Sequence, residues 1–169
     1  MLSRVLRLVP LLGLLCGPAV ATPPLPIPDD LVISMQRGNC EGGCSVYRIL
    51  IFANGDVIWQ GRARVAKVGV VLVTIERDQI RALLEGLESA DYLHLENIYG
   101  FRGNGCTSQK PDMPMVITSL SMGGLAKTLS HHDGCVGEVS EKLMALEDSI
   151  DKAVNAERWI TGKSSGKKQ

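Results

Sequence analysis

The residues of this chain that could do chemistry are concentrated in two short stretches. One is Gly38-Asn39-Cys40-Glu41-Gly42-Gly43-Cys44, in which three residues separate a pair of cysteines. The other is His131-His132-Asp133-Gly134-Cys135. A cysteine pair serves as a redox couple, a thiolate metal site or a disulfide. Thioredoxin-like couples use Cys-x-x-Cys at a helix start. Here the spacing is one residue longer and a β-branched apolar run follows. A thiolate site needs reduced sulfur, so the compartment decides between ligand and cross-link.

The first 21 residues speak to compartment. "MLSRVLRLVPLLGLLCGPAVA" places Arg4 and Arg7 before an apolar run from Leu8 to Cys16 and ends in the small-x-small pattern Ala19-Val20-Ala21. This predicts a secretory signal peptide over 1–21, since the run is too short for a membrane span. A lipid anchor on Cys16 would want small residues before it, and Leu14-Leu15 stand there instead. No later stretch is long and apolar enough to span a bilayer. The expected product is therefore soluble and either periplasmic or secreted. Cys40, Cys44, Cys106 and Cys135 remain, an even number in an oxidising compartment, which favours two disulfides.

In the second stretch, His131 and His132 would point to opposite faces if they end a strand, so they are poorly placed to bind one ion together. One of them with Asp133 and a carboxylate from elsewhere could hold a metal, but no His-x-x-x-His spacing supports it. His94 is isolated. The structural alternative is that one histidine caps the sheet edge while Asp133 shapes the turn through an Asx hydrogen bond. Asp29-Asp30 and Glu147-Asp148 are expected to be solvated, with no environment to perturb their ionisation. No nucleophile elbow, phosphate loop or dinucleotide fingerprint is present, and no cofactor is expected.

These residues need a scaffold. About 150 residues follow the signal peptide, enough for one domain with a sizeable core. Lys plus Arg and Asp plus Glu both number 18. Without Arg4, Arg7 and the tail bearing Lys163, Lys167 and Lys168, the body is mildly acidic, which argues against a nucleic-acid surface. Residues 22–30 form a proline-rich leader, read as extended and mobile. A single domain is expected over 31–160, and a disordered basic tail over 161–169.

Within the domain, "LVISMQRG" reads as a strand with Leu31, Ile33 and Met35 on one side. "VYRILIF" is apolar on both faces, as in a central strand covered on both sides, at least in part. Asn54-Gly55 marks a tight hairpin into "VIWQG". "ARVAKVGVVLVTI" continues the sheet, bent or bulged at Gly69. Thr74 is the candidate cap of a helix bearing Ile80, Leu83, Leu84 and Leu87. Nearly twenty aperiodic residues follow, then a hairpin turning at Gly123-Gly124. A last helix places Val139, Leu143, Leu146, Ile150 and Val154 on one stripe, and Arg158-Trp159-Ile160 closes the core. The order ββββ-α-ββ-α predicts an α+β fold, an antiparallel sheet of about five to six strands with two helices on one face.

Hairpin register selects the disulfides. With Gly123-Gly124 at the tip, facing residues sum to about 247, which sets Asp112 opposite Cys135 and brings Cys106 within reach. Cys40 and Cys44 bracket the flexible Glu41-Gly42-Gly43. The pairing is therefore Cys40–Cys44 and Cys106–Cys135, contributing about 2 and about 3.7 kcal/mol on the chain-entropy model.

The motif Cys40-x-Gly42-x-Cys44-x-x-Tyr47, the Asn-Gly hairpin, the Gly-broken strand, Asp112-x-Pro114, the second hairpin and the helix ending in Trp159 together resemble a family of exported bacterial proteins, domain of unknown function 6438. The resemblance runs from Leu31 to Ile160. Members often carry Pro after the second cysteine, where Ser45 stands here. The resemblance implies an exported α+β module and supplies no activity, substrate or catalytic residue.

The aperiodic segment from Asn97 to Pro114 is the candidate binding surface. Such loops in compact domains are functional or mobile, and Tyr99, Phe101 and Arg102 are of types enriched in recognition. With aromatics only 4% of the chain, the competing reading folds the two rings back over the sheet. Asp112 belongs to the same surface, although Asp112-Met113-Pro114 also reads as a turn device. The expectation is a non-enzymatic module that binds another exported protein or an envelope component. The alternative is an enzyme or metal-binding protein built on His131, His132 and Asp133.

Overall fold

The computed structural model describes residues 25–100 and 105–163; the signal-peptide segment, Phe101, Arg102 and the end of the basic tail lie outside the described residues. The fold is α+β. Among the described residues, nine strands, β1 (Val32–Arg37), β2 (Val46–Phe52), β3 (Asp56–Ala63), β4 (Gly69–Thr74), β5 (Ile98–Tyr99), β6 (Ser108–Gln109), β7 (Met115–Met122), β8 (Leu125–His132) and β9 (Cys135–Val136), accompany three α-helices, α1 (Arg77–Ser89), α2 (Glu138–Val154) and α3 (Glu157–Ile160). Seven strands form one sheet in the order β4-β3-β2-β1-β7-β8-β5, and β6 pairs with β9 separately. The sheet is larger than the five to six strands expected, and it is mixed. β5 lies parallel to β8 through Ile98↔Ser130 and Tyr99↔His131. Two residues give no periodicity to read, so β5 and β6 were hidden in what looked like loop.

Alternation does the rest. Ile33, Met35, Tyr47, Ile49, Ile51, Val57, Trp59, Val116, Thr118, Leu120 and Leu129 are buried on one face of the sheet. Against them lie Ile80, Leu83, Leu84 and Leu87 of α1 with Leu143, Leu146, Ile150 and Val154 of α2. Trp159 closes this layer, its ring centred 5.2 Å from that of Trp59. The other face is covered in part, as expected for β2: Val46, Arg48, Leu50 and Phe52 are half-buried, whereas Val70 and Leu72 of edge strand β4 are exposed. β2 is central within the sheet, fully buried toward the helices and partly buried on the other side.

Three local readings are corrected. The helix cap is Glu76 rather than Thr74; its backbone N–H donates to Gln79 Oε1 at 2.9 Å, and Gln79 Nε2 also donates to Ala153 O, tying α1 to α2. β3 runs on to Ala63, and residues 64–68 form the turn before β4. The leader is anchored where it is described: Ile27 joins the core, and Asp30 accepts the N–H groups of Gly123 and Gly124 at the hairpin tip. Those bonds hold its carboxyl below the usual range.

Candidate functional site

The β1–β2, β1–β7, β7–β8 and β5–β8 pairings set Tyr47, Arg37, Val116, His131 and Tyr99 side by side in one row on the helix-covered face. Here, at the end of the sheet, the apolar core gives way to charge. Crossing above the row, α2 presents Ser140, Glu147 and Asp151, seven and then four residues apart and so on one helical stripe. Asp133 arrives from the turn after β8, its N–H bonded to Pro114 O at 3.0 Å.

Arg37 is the hub. Its Nε donates to Asp151 Oδ2 at 2.9 Å, Nη1 to Asp133 Oδ2 at 3.3 Å and Nη2 to Asp148 Oδ1 at 3.4 Å. Glu147 Oε2 lies 4.0 Å from Nη1. Burial disfavours the guanidinium charge, but Asp151, Tyr47, Asp133 and Glu147 hold it, and its pKa rises further. Tyr47 Oη donates to both Asp151 oxygens at 2.8 and 2.9 Å. Burial first and then Asp151 raise the phenol. Asp151 is itself raised by burial, against the pull of Arg37 and Tyr47. Four carboxylates thus surround one guanidinium, and the ion cluster carries an excess of negative charge.

Deeper still, Ser140, His131 and Glu147 have no solvent exposure. His131 Nδ1 lies 3.0 Å from Glu147 Oε1, and Nε2 lies 2.6 Å from Ser140 Oγ. Burial pushes the Glu147 carboxyl up to about 7, against the hydrogen bond and charge of His131. The expectation that Glu147-Asp148 is a solvated pair is therefore corrected: Asp148 is exposed, whereas Glu147 is sealed inside.

A family model described as Domain of unknown function (DUF6438) matches residues 31–154. The chain belongs to that family. No curated protein matches it.

Within this DUF6438 domain, two of the residues quoted for the resemblance, Tyr47 and Pro114, touch the charged cluster. The disulfide Cys40–Cys44, with Cα atoms 5.4 Å apart, closes the β1–β2 connection just beyond the facing pair Arg37↔Tyr47. Tyr47 is the motif tyrosine, and Pro114 supplies the carbonyl that fixes Asp133. The second disulfide, Cys106–Cys135, pins residues 105–114 to the β8–β9 turn, next to Ser140. The paired positions of β7 and β8, from Met122↔Leu125 to Met115↔His132, keep the register that places Cys135 near Cys106.

The histidines separate as alternation requires. His131 faces the cluster, whereas His132 is on the other side of the sheet, its Nδ1 accepting Gly134 N–H at 3.1 Å. The set His131, His132, Asp133 is thus not brought together; Glu147 takes the place of His132. Nor does Asp133 make the Asx turn, since its carboxylate is spent on Arg37. His94 is exposed and pairs with Asp91. Of the candidate binding residues, Tyr99 is buried at 6% exposure, with Oη accepting Glu96 N–H. Asp112 is exposed with a left-handed backbone, φ 61°.

Ser140, His131 and Glu147 are connected in the order of a nucleophile, base and orienter, yet the protons run the wrong way. Ser140 donates its hydrogen to Cys135 O at 2.7 Å, so it can only accept from His131 Nε2–H. A serine with no surface and no free proton has no substrate to attack. What the arrangement can do is hold a proton or a cation between an imidazole and two carboxylates. One signal for it was in the sequence: Ser140, Leu143, Glu147, Ile150 and Val154 follow three- and four-residue steps, so Glu147 stands in the middle of an apolar stripe.

Proposed function

We propose that this DUF6438 chain is an exported, disulfide-stapled module of non-enzymatic character that recognises another exported protein or an envelope component through residues 107–113. One observation carries the reading. Thr107, Ser108, Gln109, Lys110, Pro111, Asp112 and Met113 are all exposed on a backbone tied down from Thr107 to Lys110 and again at Pro114. Thr107 and Lys110 donate to Val136 O and Gly134 O, Ser108↔Val136 and Gln109↔Cys135 pair as a ladder, and the Cys106–Cys135 bond lies at its base. A segment ordered before contact gives up little conformational entropy on binding. Tyr99, buried beside Gly105, is a pillar of the core, and the recognition role passes to Gln109, Lys110, Asp112 and Met113.

Export by cleavage after Ala21, a domain over 31–160 with its leader and basic tail, and residence in the periplasm or outside the cell complete the proposal. Two disulfides suit an oxidising compartment, and among the described residues no helix is long and apolar enough to cross a membrane. A photo-crosslinking residue at Lys110, with Arg62 on β3 as control, tests the surface in the native compartment. The proposal expects a discrete adduct from Lys110 alone, lost when Gln109, Asp112 and Met113 are changed to Ala. No adduct, or the same adducts from both positions, would overturn it.

A further inference from the structure

The hydrogen bonds around His131 close only when a proton or a cation lies between the ring and Glu147. Ser140 gives its only hydroxyl hydrogen to Cys135 O, so Nε2 carries the hydrogen in its 2.6 Å contact with Ser140 Oγ. In the neutral ring, Nδ1 then turns a lone pair toward Glu147 Oε1, an acceptor facing an acceptor at 3.0 Å. A proton on the Glu147 carboxyl fills that gap, and a cation can take the proton's place. Glu147 Oε2, fully buried, has no hydrogen-bond partner among the described residues. Asp133 Oδ1 lies 3.9 Å from Nδ1 on the same side.

We propose that His131 Nδ1, Asp133 and Glu147 form a site for a borderline divalent cation of the zinc class. The three donor atoms lie within 4.8 Å of one another. Bonds of about 2.0–2.2 Å put donors on one ion roughly 3–3.5 Å apart, so only the Asp133 side chain has to close in. One imidazole and two carboxylates suit first-row ions better than calcium or magnesium, which prefer all-oxygen shells. The pattern also includes the outer support such sites use: the far ring nitrogen of His131 is held by Ser140, itself held by a carbonyl. Arg37 holds Asp133 Oδ2, Asp148 and Asp151 and approaches Glu147 Oε2 only to 4.0 Å, orienting the ligands. The ion replaces the proton shared by Nδ1 and Oε1, which leaves to solvent, while water fills the remaining coordination positions. Asp148, Asp151 and Glu157, against the cation Lys152, line an adjoining cleft of about 530 Å³ and leave it net acidic on the partly exposed side of the cluster. The site lies beneath the turn that anchors residues 107–113 but does not depend on that surface binding anything.

Titration calorimetry with zinc chloride alone tests the site on the oxidised protein. The expected result is one zinc per chain, weakened at least tenfold in Asp133→Asn and in Glu147→Gln and unchanged in His132→Gln and His94→Gln. Calcium should not compete. Absence of zinc binding by the wild type, binding that survives both carboxylate changes, or loss in His132→Gln would overturn the proposal. Wild-type NMR with cobalt(II) covers the case in which a carboxylate variant does not fold. Paramagnetic shifts should centre on residues 131, 133 and 147, and shifts centred on His94 or His132 would refute the site.

Discussion

Replacing Glu147 with Gln removes one ionisable group from the interior while keeping its shape, and the amide N–H can donate to His131 Nδ1 as a protonated carboxyl would. The wild-type carboxyl moves from an ordinary 4.5 to about 7 on folding because it is buried. Between those values the folded chain holds a proton that the unfolded chain has released. More protons bound in the native state means that stability falls as pH rises. The contribution is complete below 4.5 and lost by the time pH has passed 7. A shift of this size, at about 1.4 kcal/mol per unit, is worth about 3 kcal/mol. Asp151, also raised by burial, acts with the same sign. The oxidised wild type with chelator present should therefore be less stable to urea near pH 8 than near pH 5, the reverse of ordinary acid lability. Glu147→Gln should flatten most of that slope, equal the wild type at acidic pH and exceed it by up to about 3 kcal/mol at pH 8. Urea midpoints across this range, at unchanged slope, measure the difference. Parallel profiles for the two proteins, or a wild type that gains stability from pH 5 to 7, would refute the buried-carboxyl reasoning.

Further outcomes bear on the scaffold. Cys106→Ala with Cys135→Ala opens a loop of 29 residues and should cost about 3.7 kcal/mol on the chain-entropy model, read as a drop in urea midpoint. Tyr99→Ala empties a core position and should destabilise by about 3–5 kcal/mol, whereas Met113→Ala should leave the melting temperature within a degree or two. An equal effect of both would show that the division between pillar and surface is wrong. Gly134→Ala should loosen the stapled segment, because its Cβ would meet Lys110 O at 2.2 Å; faster amide exchange at Lys110, whose N–H bonds Gly134 O, is the readout.

Much of the scaffold was legible because it is written locally. The alternation in Leu31–Met35, the Asn54-Gly55 turn and the helical spacing of Ile80, Leu83, Leu84 and Leu87 each need only neighbours in sequence to be read. Register at the Gly123-Gly124 tip extended that reach to Cys135 and the second disulfide, since a tight turn fixes every pair that follows it. The short strands β5 and β6 escaped, as two residues have no period. The cap at Glu76 escaped too, because a capping glutamate depends on the side chain of Gln79 as much as on its own type.

Sequence alone thus determined the family, the helical and strand faces, and the cysteines that a hairpin brings within reach. Only the tertiary structure decided what becomes of the polar residues on those faces. The apolar stripe of α2 marks Glu147 as facing inward, but what it meets is set only when α2 is laid across the row that holds Arg37 and His131. Arg37 meets Asp151 across 114 residues of chain. Burying such groups is costly without partners, and partners that distant exist only once the sheet has closed. The chemistry of this domain is therefore a property of its assembled end and not of any single stretch.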